Sequence, residues 1–223
     1  MTSIAPPRAT LLDAPTIGSA WVRVAARILE RGVAARWGDL PTREIARLTL
    51  SIAAADPDDE VIARHGDPSW LAWMRSNFRD PGRVPELGGA DSYAVRLRDW
   101  EHSGRDQVAW LVDRLRGDPG TRDATITTFQ PATDTTYIPC VSLIDAWAPD
   151  GALEMLVYAH GLDFGKKAYG NLVELAALQQ EVAARAGLPA GGLVLHVKTA
   201  HIYDPELAAM AALVEAERAL LGD

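Results

Sequence analysis

Apolar and polar residues recur with two different periods along the chain, and the change falls near residue 120. Before it, apolar residues return every three or four positions, as they do on one face of a helix. This spacing predicts helices over Trp21–Arg31, Ser69–Phe78 and Asp106–Arg116. One alternating stretch, Leu48–Ile52, predicts a strand between them.

Beyond residue 120 the pattern becomes that of a sheet. The predicted strands are Ala124–Phe129, Tyr137–Trp147, Leu153–His160 and Leu193–Tyr203. The turn sequence Ala148–Gly151 predicts a hairpin between the second and third of these strands. A long, largely apolar helix is predicted between Gly170 and Gly187, and a last helix runs to Leu221. The expected fold is α+β, a mainly antiparallel or mixed sheet backed by helices, one of them long and buried.

Composition limits the domain organisation and the class of partner. Residues 1–16 hold three prolines without periodicity and predict a flexible N-terminal arm, so that residues 17–223 form a single domain. The net charge of -8 argues against nucleic-acid binding. A single cysteine, Cys140, excludes a disulfide framework and any multi-cysteine metal site. No apolar run has the length of a membrane span and no signal peptide is recognisable, so we expect a cytoplasmic protein without a metal.

Cys140 and a pair of polar residues are the first candidates for chemistry. Cys140 follows Pro139 in a predicted apolar strand, where a lone cysteine is commonly a small buried hydrophobe. His201 and Tyr203 share one face of another predicted strand. They are either a satisfied pair in the core or two polar groups directed into a pocket.

The order and spacing of several motifs resemble those of the thymidylate synthase and deoxycytidylate hydroxymethylase superfamily, closest to its short archaeal-type members. The motifs are Asp106-Gln107-Val108, Gly117–Arg122, Ile138-Pro139-Cys140, Asp150-Gly151, Asp163, Asn171 and His201-Ile202-Tyr203. Asp163 follows Cys140 by 23 residues, Asn171 follows Asp163 by 8, and His201 follows Asn171 by 30. These three separations equal those of the family. This resemblance covers the C-terminal two-thirds of the chain and implies the family's fold.

The resemblance assigns roles around the pyrimidine base. Cys140 would add to C6 of the base, which makes C5 nucleophilic toward a one-carbon donor. Asn171 would hydrogen-bond the edge of the base, with a preference for uracil. Asp163 would lie between the base and the pterin of 5,10-methylenetetrahydrofolate. A gapped alignment would instead give the role of Asn171 to Lys167.

The sugar and phosphate would be bound by further residues. The resemblance implies that His201 and Tyr203 bind the sugar and that Tyr93 also contacts the substrate. Arg36 is a candidate for one phosphate-binding arginine. Arg122 would be donated across the interface of a two-fold homodimer to the neighbouring site.

Other positions depart from the family pattern. His160 stands where the family has a phosphate-binding arginine that also helps to ionise the cysteine, and a histidine replaces that charge only when protonated. The catalytic glutamate would be Glu44 if residues 42–45 are helical; if they continue the strand, its side chain is directed elsewhere. Trp70 and Trp73 either line a shelf for the pterin or pack in the core.

Three functions follow from these expectations. The first is one-carbon transfer, methyl or hydroxymethyl, to C5 of a pyrimidine nucleotide with a folate donor. The second is a folate-independent modification of a pyrimidine nucleoside or nucleotide through the same cysteine adduct, motivated by the missing arginines. The third is a non-catalytic nucleotide-binding homologue.

Overall fold

The computed structural model describes residues 9–135 and 137–221 and has the α+β architecture predicted from the sequence. The helices are α1 Ile17–Arg31, α2 Glu60–His65, α3 Pro68–Arg79, α4 Tyr93–Arg98, α5 Gln107–Gly117, α6 Ala168–Ala186 and α7 Leu207–Ala216. The strands are β1 Thr10–Thr16, β2 Val33–Trp37, β3 Leu40–Ala54, β4 Arg83–Val84, β5 Ala90–Asp91, β6 Thr125–Thr127, β7 Val141–Trp147, β8 Leu153–Asp163 and β9 Ala190–Tyr203. Short 3-10 turns occupy Pro85–Leu87, Asp204–Glu206 and Arg218–Leu220.

Within the described residues, seven strands form one mixed sheet in the order β1-β3-β9-β8-β7-β6, with β2 paired to β3. The pairs β1–β3 and β8–β9 are parallel, and the remaining neighbours are antiparallel. The parallel step from β8 to β9 requires a crossover, and the long helix α6 supplies it. Residue 163 at the end of β8 and residue 168 at the start of α6 therefore lie close together.

The helices begin where the sequence offers capping side chains. Thr16 and Ser19 form a capping box at the start of α1. Asp67 caps α3, whose first residue is Pro68, and Asp106 caps α5. The apolar stripes of these helices and the largely buried α6 pack with the sheet in one hydrophobic core.

The buried positions of β8 and β9 change phase at the same level of the sheet. They are Leu153, Met155, Val157, Ala159 and then Leu162 in β8, and Leu193, Leu195, Val197, Ala200 and Ile202 in β9. A strict period of two would continue the buried series to Asp163, His201 and Tyr203. In both strands the alternation of buried and less buried residues shifts by one position before this point. These three polar residues therefore keep partial exposure to solvent instead of being fully buried.

Three sequence predictions need correction. Thr10–Thr16 is not part of a flexible arm, because it pairs in parallel with β3; residues 1–8 of the predicted arm lie outside the described residues. Cys140 lies just before β7 instead of inside a strand, since Pro139 has no N–H to donate to a ladder. The strand predicted at Leu48–Ile52 extends back to Leu40, and it therefore includes residue 44.

Candidate active site

A row of polar side chains crosses the end of the sheet. His201 in β9 is in register with Glu44 in β3 and with Asp163 in β8. Thr42 is in register with Tyr203 one step further along. Since residues paired across neighbouring strands project to the same face, these five side chains share one face of the sheet. The helix that would make Glu44 catalytic is absent, yet the strand keeps Glu44 in this row, and its role stays a prediction.

The carboxyl group of Asp163 is mostly buried and retains a proton unusually well. The backbone N–H of Gly165 donates to its Oδ1 atom at 3.0 Å. Burial, reinforced by the nearby carboxylate of Glu206, raises the pKa of Asp163 to about 6, although Lys167 acts in the opposite direction. Asp163 can therefore exchange a proton near neutral pH, as a general acid or base must.

The backbone around Cys140 is fixed on both sides. The carbonyl oxygen of Cys140 accepts from the N–H of His160 at 3.0 Å. The next residue, Val141, donates its N–H to the hydroxyl of Tyr93 at 3.0 Å. Tyr93 is itself buried and stacks on Phe78 with ring centroids 4.4 Å apart. These contacts anchor the segment that carries the thiol.

The thiol of Cys140 lies among ionisable groups of the sheet end. Burial raises its pKa, Lys167 lowers it, and Asp163 raises it. Cys140 in turn contributes to the raised pKa values of Tyr93 and Tyr203, behind burial in both cases. Four of the predicted site residues, Cys140, Asp163, Tyr93 and Tyr203, therefore each lie near at least one of the others, and Lys167 lies near Cys140 and Asp163.

Among the described residues, three buried polar atoms at this end of the sheet have no hydrogen-bond partner. They are Oγ1 of Thr42, Nε2 of His201 and Oε2 of Glu206. Burial lowers the pKa of His201 to about 4, so its ring is neutral at pH 7, and its ring centroid is 5.0 Å from that of Tyr203. An unsatisfied buried polar group is unfavourable, and a ligand that hydrogen-bonds here would remove this penalty.

Asn171 is buried on the first turn of α6, and part of its amide is already used. Its Nδ2 donates to the carbonyl of Lys167 at 3.1 Å. Among the described residues no hydrogen bond reaches Oδ1, so this atom is available as an acceptor. A free acceptor matches the N3–H donor of uracil, whereas cytosine presents an acceptor at N3.

Trp70 and Trp73 do not form a bare aromatic shelf. Their rings meet edge to face at 5.6 Å. The ammonium of Lys166 lies 5.0 Å from the centre of Trp70, and that of Lys167 lies 5.1 Å from Trp70 and 5.5 Å from Trp73. Both indoles are partly buried against the core, and lysine ammonium groups lie over their rings.

His160 in β8 is hydrogen-bonded through its backbone to Cys140, but it is a poor source of charge. Its ring Nδ1 is 3.5 Å from the hydroxyl of Ser142. Burial and the nearby Lys198 lower the pKa of His160 below its ordinary value. His160 is therefore neutral at pH 7, and the structure does not give it the positive charge of the arginine it replaces.

The two candidate arginines lie on exposed segments. Arg36 is in β2, and its guanidinium donates to the carbonyl of Asp39 at 2.7 Å. Arg122 is exposed in the loop between α5 and β6. Within residues 9–135 and 137–221, neither arginine contacts Cys140 or Asp163, and their roles stay predictions.

The described part of the chain contains no group of three His, Cys, Asp or Glu side chains arranged to hold a metal. None of its helices is long and apolar enough to cross a membrane.

Sequence reasoning named Lys167 only as an alternative to Asn171, and it missed the proximity of Lys167 to Cys140 and Asp163 and that of Glu206 to Asp163. A signal for Lys167 was present, because the chain has only three lysines and two of them, Lys166 and Lys167, lie three and four residues after Asp163. Glu206 offered no such signal. Its approach to Asp163 depends on the 3-10 turn Asp204–Glu206 packing against Gly165, where an added Cβ would lie 2.9 Å from the Cβ of Glu206.

The fold and the cluster define an α+β protein with a cysteine, a carboxyl group and a lysine at the end of a mixed sheet. Residues 40–221 match the family model described as thymidylate synthase. The chain belongs to the thymidylate synthase family. This family transfers one-carbon units to C5 of pyrimidines.

Several archaeal proteins are similar over most of the chain. A protein of Methanothermobacter thermautotrophicus is 35% identical over 209 residues, 86% of this chain and 93% of its own length. One of Methanosarcina barkeri is 33% identical over 202 residues, 87% of this chain and 89% of its own. One of Methanopyrus kandleri is 32% identical over 155 residues, 68% and 69%. Each carries the name "Putative thymidylate synthase".

Proposed function

We propose that the protein activates a pyrimidine nucleotide by adding the thiol of Cys140 to C6 of the base, and then transfers a one-carbon unit to C5. The observation that carries this proposal is the cluster in which Cys140, Asp163 and Tyr203 lie near one another, with Lys167 beside Cys140 and Asp163. Family membership supports the reaction class.

The proposed reaction assigns a role to Cys140 and to Asp163. The thiolate of Cys140 forms a bond to C6, the C5–C6 double bond opens, and the electron pair passes to C5 and O4 as an enolate. C5 then attacks an electrophilic one-carbon donor, loses its proton, and the thiolate is expelled as the double bond re-forms. Asp163 is the acid–base group we favour for the proton transfers, because its pKa of about 6 is nearer to neutrality than that of an ordinary carboxyl.

Base recognition follows from the remaining contacts. The free Oδ1 of Asn171 accepts from N3–H, so uracil is the base we propose. His201 and Tyr203 are proposed to bind the sugar, and the unpartnered Nε2 of His201 is available for a hydroxyl. Arg36, Arg122 and His160 remain the candidates for the phosphate.

The family implies 5,10-methylenetetrahydrofolate as the one-carbon donor, but the predicted shelf does not fit its pterin as it stands. The faces of Trp70 and Trp73 hold the ammonium groups of Lys166 and Lys167. A stacked pterin would first have to displace both lysines. We therefore assign no step to folate.

The covered shelf favours a second candidate, a folate-independent pyrimidine modification that uses the same Cys140 adduct. Release of tritium from [5-³H]-labelled dUMP, UMP, dCMP and CMP, with and without methylenetetrahydrofolate, separates the two. Release that requires folate supports one-carbon transfer from folate, and folate-independent release supports the second candidate. Absence of release from all four nucleotides under both conditions would contradict both and favour a non-catalytic homologue.

We also propose a two-fold homodimer, in which Arg122 reaches the partner's site. It is supported by apolar side chains that share the outer face of β7 and β8, where Leu143 pairs with Tyr158 and Tyr158 is 40% exposed. A stable monomer in sedimentation at micromolar concentration would contradict it. The cytoplasmic location stays a prediction from composition.

A further inference from the structure

We propose that a cavity between the β4–β5 hairpin and the loop after β6 is a second binding site, which takes a nucleoside by the hydrogen-bonding edge of its base. The cavity is lined by residues that the proposed function does not use. The inference therefore goes beyond that function and needs no reaction at Cys140.

The cavity has a buried floor and an open rim. Its volume is about 460 Å³, within the range of small-molecule sites. The turn Gly88–Gly89 between β4 and β5 forms one wall, and residues 101–102 and the loop after β6 form the others. Arg96 and Gln130 on the floor are each 2% exposed, whereas residues 88, 101 and 102 at the rim are exposed. A small molecule can enter a cavity of this form.

The floor is held together by hydrogen bonds, but two of its polar atoms are left out. Arg96 binds the two carboxylate oxygens of Asp134 at 2.7 and 2.8 Å. Its guanidinium also donates to the carbonyls of Asp91 and Thr128. Among the described residues, Oδ1 of Asp91 and Nε2 of Gln130 are buried without a hydrogen-bond partner. Because buried polar groups are normally paired, a ligand that pairs both atoms would remove this penalty.

The carboxyl group of Asp91 is fixed by a neighbour with an unusual backbone. Nε2 of His102 lies 3.0 Å from Oδ2 of Asp91, which leaves Oδ1 without a partner. Glu101 and His102 have φ angles of 53° and 56°, a left-handed conformation that is uncommon for residues with a Cβ. The N–H of Gly104 donates to Oδ1 of Asp99 at 2.7 Å and holds this turn. Strained backbone of this kind is concentrated at ligand sites.

The two unpartnered atoms define what the ligand must offer. A carboxylate oxygen accepts and an amide Nε2 donates, so the ligand needs a donor and an acceptor side by side. The edge of a nucleobase provides an N–H group next to a carbonyl oxygen. The last side-chain torsions of Asp91 and Gln130 are soft, so a small rotation turns both atoms toward such an edge.

The walls suit a flat ring. Gly88, Gly89 and Ala132 line the cavity without side chains beyond Cβ, and a Cβ added at either glycine would meet nothing within 4 Å. Tyr137 and Leu87 add apolar surface to the same lining. A ring can therefore lie between the backbone of the hairpin and these side chains.

The charges of the lining disfavour an anion. Three carboxylates and two guanidinium groups line the cavity, namely Asp91, Glu101, Asp134, Arg83 and Arg96. One of the two guanidinium groups is already bound to a carboxylate on the floor. A negatively charged ligand would meet an excess of negative charge, so we expect the nucleoside instead of its phosphate.

The test is calorimetric titration of the protein with uridine and inosine, which carry this edge on a pyrimidine and on a purine ring. The matched ligands are 3-methyluridine and 1-methylinosine, in which a methyl group replaces the N–H hydrogen and the ribose is unchanged. Gln130→Met removes Nε2 at similar volume, and Gln180→Met, at an exposed position of α6, is the control. Asn171→Ala separates uridine bound at the proposed active site from uridine bound in the cavity.

At least one of the two nucleosides should bind the wild type and lose about tenfold in affinity in Gln130→Met, with no loss in Gln180→Met. Its methylated form should bind the wild type at least tenfold more weakly, because Asp91 then has no donor. Gln130→Met should unfold at no lower temperature than the wild type, since it removes an unpartnered buried atom. If this variant does not fold, the methylated ligands still decide the outcome on the wild type.

The inference would be overturned if neither nucleoside lost affinity in Gln130→Met. Equal binding of the methylated and unmethylated forms would overturn it as well, because the ribose would then be the group recognised. Uridine whose affinity falls in Asn171→Ala alone would belong to the proposed active site, and the inference would then fail unless inosine depends on Gln130. No turnover is needed, so these results are independent of the tritium assay.

Discussion

Replacing Asp163 by asparagine should stabilise the protein at neutral pH and remove part of the pH dependence of its stability. The pKa of Asp163 is about 6 in the folded chain, against 3.8 for an unperturbed aspartate. Each pKa unit corresponds to about 1.36 kcal/mol, so ionised Asp163 destabilises the folded state by about 3 kcal/mol. Asparagine carries no charge, and its Oδ1 can still accept from Gly165.

Because the pKa of Asp163 is raised in the folded chain, stability changes with pH between the unfolded and the folded pKa values. Below about pH 4 both the folded and the unfolded chain hold the proton, and there is no penalty. Between about pH 4 and 6 the unfolded chain ionises while folded Asp163 stays protonated, so wild-type stability falls as pH rises. Above pH 6 both states are ionised and the full penalty of about 3 kcal/mol is present.

The assay is urea unfolding of the wild type and Asp163→Asn from pH 4 to 7.5 at one protein concentration. The stability difference should grow across this window from near zero to at most about 3 kcal/mol in favour of the variant. Asp113→Asn, which removes an exposed carboxylate on α5, is the control. A variant that is less stable than the wild type at pH 7, with a difference independent of pH, would refute the reasoning.

Two further substitutions test other parts of the structure. Arg96→Met should lower the free energy of unfolding, measured in urea, by about 3–5 kcal/mol. The substitution leaves buried Asp134 without the guanidinium that binds both its oxygens at 2.7 and 2.8 Å. The control is Arg98→Met, which breaks the partly exposed pair of Arg98 with Glu181 and should cost about 1 kcal/mol or less. His160→Arg restores a charged fork and should tighten UMP and dUMP more than uridine in calorimetry; equal gains for nucleotides and nucleoside would show that residue 160 does not face the phosphate.

The sheet and its long helix could be predicted because their signals are local. Alternation over Leu153–His160 and the apolar character between Gly170 and Gly187 follow directly from burial on a sheet and in a core. The parallel strand at Thr10–Thr16 could not be predicted in this way. Its residues alternate weakly, and its strand conformation depends on a partner more than thirty residues away.

The site was partly predictable for a similar reason. Spacing alone singled out Cys140, Asp163 and Asn171, because the family fixes their separations. Spacing does not report charge, and the neutral state of His160 depends on burial and on Lys198 from another strand. The placement of Lys167 against two indoles likewise requires α3 to pack on α6, which no local pattern encodes.

The central claim is that Cys140 adds covalently to the base, and the release of the C5 hydrogen by the variant Cys140→Ser tests it most directly. The substitution is nearly isosteric, so unfolding in urea should match the wild type, while the hydroxyl is far less nucleophilic than a thiolate. With [5-³H]-dUMP or [5-³H]-UMP as substrate, the account predicts tritium release by the wild type and none above background by the folded variant. Release by Cys140→Ser at the wild-type rate would contradict covalent addition by Cys140.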